Sequence, residues 1–146
     1  MSRIIDIADA VVAEISGFTG WSQSLKAVRS YAPRYELKEL ADLKVTVVPK
    51  SMASEVASRS SVQSDYEFDV AIQKHLEGLT DADIDALMGL VQEVVDHWRL
   101  RVVTVDGTDA VCIAAANDPV YSPEHLVQMQ VFTSVVTLTF RLMEGL

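Results

Sequence analysis

The chain has 146 residues, 49% of them hydrophobic and 23% charged, with 21 acidic against 12 basic side chains and a formal charge of −9 at neutral pH. That length suits one hydrophobic core, since about 100 to 200 residues is the comfortable range for a single domain, and the apolar content excludes a largely disordered chain. The charge argues against direct nucleic-acid binding, whose affinity rests on cationic contacts to phosphates, and the lone Cys112 excludes an internal disulfide or a thiolate metal site.

In chain order, Ile4, Ile7, Ala8, Val11, Val12 and Ile15 recur at spacings of three and four, predicting an amphipathic helix that Gly17 ends. Its acids Asp6, Asp9 and Glu14 interrupt what would otherwise resemble a secretory signal, which places synthesis in the cytoplasm. Leu25 to Pro33 reads as a first strand broken by Pro33. "LKVTVVPK" alternates Leu43, Val45 and Val47 against Lys44 and Thr46 and predicts a strand ending at Pro49. In "DYEFDVAIQKHL", Tyr66, Phe68, Val70 and Ile72 face one way and Glu67, Asp69, Ala71 and Gln73 the other, so one face is expected in the core and the other in solvent. Thr80 before Asp81 and Asp83 predicts a capped helix over residues 81 to 98, with Ile84, Leu87, Met88, Val91, Val95 and Trp98 as its apolar stripe. Asp106-Gly107 between β-rich runs predicts a tight primed turn joining two antiparallel strands. After a loop, "NDPVYSPEH", the segment "LVQMQVFTSVVTLTFRL" reads as a last strand, with Phe132, Val136, Leu138, Phe140 and Leu142 sharing a face. The expected fold is a single α+β domain over residues 1–146, a mainly antiparallel sheet with an N-terminal helix and a long central helix packed on it. No apolar run reaches the roughly 18 residues of a membrane span.

The residues that could carry catalysis do not converge. His75, His97 and His125 lie in different elements and form no HxxxH or ligand-spaced pair, so they read as solvated or edge histidines. "DADID" opens like a calcium loop, but Ala86 stands where the loop needs Gly and Gln92 where it needs Glu, so the helix-cap reading is preferred. Cys112 in "DAVCIAAA" reads as a buried structural thiol. No nucleophile elbow, phosphate loop or CxxC occurs, and the expectation is a non-enzymatic protein with no cofactor and no metal.

The stretch Lys50 to Ser64 stands apart. It joins two strands through polar, small residues where a hairpin loop spends about two to five. Read as an arm at about residues 50–64, it carries Met52, Val56 and Val62 as apolar anchors and Lys50 and Arg59 as its bases, and it is expected to gain order by lying on a neighbour. A disordered insertion and a lid over a ligand are the alternatives.

Together "LKELADLKVTVVPK", the serine-rich loop with Arg59, "DYEFDVAIQKHL", "DIDALMGLVQEVVDHW" and "VFTSVVTLTFRL" resemble the tail terminator and tail-completion (head-to-tail joining) proteins of long-tailed bacteriophages, over about residues 25 to 142. The resemblance implies a virion protein of the tail or neck, assembled in the host cytoplasm. Its subunits form a ring, typically a hexamer, that caps the tail tube and offers a surface to the head connector or neck protein. It implies no membrane partner and no sequence-specific binding of the DNA that passes through. Lys50, Met52, Val56, Arg59 and Val62 are then expected at the subunit or tube interface, with Glu67 and Asp69 as exposed strand-face contacts. A small-molecule-binding or catalytic α+β domain with residues 50–64 as a lid, and His75 or His97 in the pocket, is the competing reading.

Overall fold

The computed structural model describes residues 2–32, 39–76, 78, 80–118 and 120–145. In chain order these form α1 (Arg3–Gly17), β1 (Ala27–Arg29), a 3-10 turn (Glu39–Ala41), β2 (Lys44–Val56), β3 (Ser61–His75), α2 (Asp81–Trp98), β4 (Val102–Val105), β5 (Thr108–Asn117), α3 (Pro123–Met129) and β6 (Val131–Gly145). The six strands make one sheet in the order β1-β2-β3-β6-β5-β4, in which only the β1–β2 pairing is parallel. The fold is α+β, as expected. Pro33, read as a strand breaker, lies outside the described residues.

The helices follow their apolar spacing. In α1, Ile7, Ala8, Val11 and Ile15 are fully buried. The α2 N-terminus is held by Thr80, whose hydroxyl accepts from the Asp83 backbone N–H at 3.3 Å. The buried stripe of α2 is Leu87, Leu90, Val91, Val94 and Trp98, while Ile84, Met88 and Val95 pack at its margin. Helix α1 touches β1 and β2 at one side of the sheet and β4 at the other, so the sheet curls around it, and α2 lies against β5 and β6. Curling in this way brings both edge strands of the body, β1 and β4, against α1.

The long pairing of β3 with β6, from Ser61↔Gly145 to His75↔Val131, forms the centre. Phe68, Val70 and Ile72 from β3 and Phe132, Val136, Leu138, Phe140 and Leu142 from β6 fill the core face. Phe140 meets Phe68 and Trp98 edge-on, with centroids 5.9 and 5.7 Å apart. Asp106 and Gly107 have φ of 50° and 75°, the positive values that a primed two-residue turn requires. No helix of the described residues is long and apolar enough to cross a membrane.

Two local expectations are corrected, and one element was not expected. The second face of β3 is only partly solvated, because Ala71 and Gln73 are buried along with Thr46 and Thr133 of the neighbouring strands. The 3-10 turn packs on β3 and buries Leu40, which is not part of the main core cluster. The last strand begins at Val131 and not at Leu126, because Ser122 caps α3 through the His125 N–H and Pro123 takes its first turn, where no N–H is needed. The helix stops at Gln130, which adopts a left-handed conformation with φ of 53°.

Candidate functional site

Beyond Val47 the sequence loses its apolar alternation, yet the strand does not stop. Pro49 sits opposite Phe68, Ser51 opposite Glu67, and the residue between them, Lys50, is a bulge. The insertion reverses the side-chain parity, so that Met52, Ser54 and Val56 share the core side with Tyr66, Ser64 and Val62. Pairing continues to Val56↔Val62, and the turn closes with Ala57 N–H donating to Ser61 C=O at 3.0 Å and the Ser58 and Ser61 hydroxyls 2.7 Å apart.

The stretch read as an irregular arm is therefore a β-hairpin folded on its own body, and its order needs no neighbour. Its sequence hid this because the strand pairs through backbone while neither face of β2 there is buried: residues 50 to 60 are all exposed. With the end of β6 alongside, residues 51–56, 61–67 and 139–145 make a three-stranded finger.

One face of the finger is a ladder of paired charges. Arg141 donates from Nε and Nη2 to the two carboxylate oxygens of Asp65 at 2.8 and 3.0 Å. Those bonds hold the Asp65 carboxyl below its usual range, against the opposing effect of its desolvation. Lys50 Nζ lies 3.7 Å from Asp69, which also accepts from the Thr137 hydroxyl at 2.7 Å, and Ser51 donates to Glu67 at 3.1 Å. Glu67 and Asp69, expected as exposed contacts, are thus half-buried and partnered. The interface residues expected on the hairpin separate by exposure. Met52 and Val56 are each 69% exposed, Arg59 is exposed at the turn, and Val62 is half-buried.

Among the described residues the finger's outer border is open. β1 pairs only with Val45, Thr46 and Val47, and Ser30 adds one bond to the Val47 carbonyl. No strand among the described residues pairs with β2 on that side from Val48 onward. On the other border, β5 leaves β6 after Val111↔Arg141, and a gap of about 590 Å³ separates Gly107, Asp109, Val111 and Ile113 from Leu142 and Met143.

A second cluster escaped sequence reasoning. His97, read as a solvated histidine, has a side chain only 5% exposed, with Nε2 3.0 Å from Glu14 Oε1. Its ring packs against Phe18, Trp21 and Trp98 at centroid separations of 4.4, 4.8 and 5.5 Å. Arg101 reaches the same Glu14 oxygen at 3.2 Å and the His97 carbonyl at 2.8 Å. Burial lowers the His97 pKa and the Arg101 charge adds to this, while the Glu14 hydrogen bond opposes it. The cluster ties the end of α1 to the end of α2. Apolar residues at helical spacing gave no sign of it, because its partners are 83 and 87 positions apart.

Elsewhere, His125 Nδ1 is 2.9 Å from the Thr133 hydroxyl, and His75 lines a shallow cavity with Lys74 and Asp83. Cys112 is buried, its thiol pushed up to about 11 by desolvation. The described residues contain no group of three or more side chains placed to hold a metal. The concavity on the finger is lined by Ala53, Ser54, Glu55, Gln63, Asp65 and Arg141, and no histidine borders it, so the lid reading gains no pocket chemistry there. No protein-family model and no curated protein matches this chain.

Proposed function

We propose that this chain is a structural subunit of a bacteriophage tail or neck, which assembles into a ring, with six copies as the expected number, and caps the end of the tail tube. The single observation that carries the reading is the finger, which presents exposed Met52 and Val56 and a β2 border that no strand among the described residues pairs. Open, flat strand borders are an aggregation hazard that a closed ring removes by giving every copy the same partner. The capping mechanism is occupancy: a ring seated on the last tube layer covers the surface that another tube subunit would use, and its outer face is left for the head connector. The acidic balance of the chain suits a conduit through which DNA passes without sticking.

The finger's own folding changes the physical account of assembly. Because the hairpin is already ordered in the subunit, docking costs less conformational entropy than ordering a free arm would. The test is purification followed by light scattering and negative-stain imaging, alone and with polymerising tube protein. Annuli that decorate tube ends and restore uniform tube length support the reading, and a monomer that leaves tube length unregulated contradicts it.

A further inference from the structure

Among the described residues the finger has two open borders, and strand alternation says which backbone groups they present. Ala57 N–H points to β3, so Ser51, Ala53 and Glu55 also turn inward, and Met52, Ser54 and Val56 turn their N–H and C=O groups outward. On β6, Gln130 C=O accepts from Leu76 N–H on the β3 side, whereas Thr133 C=O accepts from Ser122 N–H on the opposite side. Even-numbered residues of β6 therefore face β3, and Met143 and Gly145 face the gap where β5 has departed. Each border is short, and both lie at the same end of the sheet. Upstream, β1 and the Lys50 bulge close off β2; further back along β6, β5 closes off the other border.

From these two borders we infer that a second copy of this chain occupies each gap, with β2 residues 52–56 of one subunit adding in parallel to β6 residues 142–145 of the next. This rests on the ring reading and names its contact. β2 and β6 both run antiparallel to β3 and so run the same way, which is the direction that a sheet continued around a rotation axis requires. Placing Ser54 opposite Glu144 puts both side chains on the core side, so the two sheets join without a change of face. In that register Ser54 N–H donates to Met143 C=O, Gly145 N–H donates to Ser54 C=O, and Val56 N–H donates to Gly145 C=O. In that register Met52 stands opposite Leu142 on the core side, while Val111 and Met143 line the gap on the other face, beside Ala53.

The competing arrangement is a two-fold dimer through β2 alone. Centred on Ser54, it sets Met52 of one copy opposite Val56 of the other, twice. It leaves the β6 border empty, whereas the cyclic pairing fills both borders.

The experiment uses the full chain with Ser54→Cys and Glu144→Cys made singly, mixed, and together, under mild oxidation or a short thiol-to-thiol linker. Buried Cys112 stays unreactive as the internal control. The expected result is a cross-linked pair only in the mixture and a ladder ending in a closed ring from the double variant. Ser54→Pro, which removes an outward N–H and leaves the β3 ladder intact, is expected to abolish assembly while keeping the circular dichroism of the folded subunit. Rings in images without a 54-to-144 cross-link overturn this pairing and leave the ring reading standing. A 54-to-54 cross-link in the single variant overturns it in favour of the dimer. A chain that never assembles removes the ring reading and this contact together.

Discussion

Replacing residues 54–64 by Asn-Gly shortens the finger while retaining the Ala53↔Asp65 pair, which becomes the closing pair of a two-residue turn. Within the excised segment Ser64 is the only buried residue, at 3% exposure, and Val62 is half-buried. Little apolar surface is therefore lost, on the order of 1 to 2 kcal/mol including new exposure of Leu142. The lost ladder bonds, each about 1 kcal/mol net, are opposed by release of about 1 to 2 kcal/mol of backbone entropy for every residue no longer ordered. Stability is expected to change by less than about 2 kcal/mol, against a total of about 5 to 15 for a domain of this kind. Urea unfolding followed by the fluorescence of Trp21 and Trp98 measures that term, and light scattering measures assembly in the same samples. A folded chain that no longer assembles is the predicted outcome. Loss of more than about 4 kcal/mol would show the finger to be part of the core, and normal rings from the shortened chain would refute its role in assembly.

Other substitutions test the body and its titrating groups. Phe140→Ala removes a ring with no exposure that contacts Phe68 and Trp98 edge-on, and is expected to cost about 4 kcal/mol by urea denaturation, whereas Val127→Ala at 73% exposure should fall within about 0.5 kcal/mol of the parent. His97 is buried with its pKa lowered, so below its ordinary value of 6.5 the unfolded chain binds the proton first and stability falls as the pH drops from 6.5 toward the folded-state pKa. His97→Gln should flatten the dependence of the unfolding midpoint between pH 7 and 5, and an unchanged slope would contradict the assignment. Native Cys112 should resist thiol reagents at pH 8 and react fully only in denaturant, and fast native labelling would contradict its burial.

Legibility in the sequence followed burial. Helix α2 was predicted over its observed residues because one side faces the core and Thr80 marks its start. Phe68, Val70 and Ile72 and the even-numbered apolar residues of β6 were equally clear, since alternate positions enter the same core. The finger was not clear. Ser51, Ala53, Ser54 and Glu55 bury nothing, so the period of two disappears although the hydrogen-bonded strand persists, and Pro49 reads as a stop when its place beyond the last β1 pair lets it remain. Helix α3 carried a readable signal, Ser122-Pro123-Glu124, that the β-branched run after it obscured. His97 and Glu14 are joined only by the tertiary fold, and nothing local marks them.

For candidate function, residues 50–64 were read as an arm between two strands, whereas both strands run into that stretch, to Val56 and from Ser61. An ordered finger with open borders replaces a flexible arm, and Glu67 and Asp69 move from free contacts to members of the charge ladder that stiffens it. Met52, Val56 and Arg59 keep the exposure that an interface needs.

The most direct measurement is the mass and shape of the purified full-length protein at rising concentration, by light scattering and negative-stain images, with polymerised tube added to one half of each sample. Closed annuli of uniform size that sit on tube ends are the predicted result. A particle of 16.0 kDa at every concentration, leaving the tube ends bare, would contradict the account.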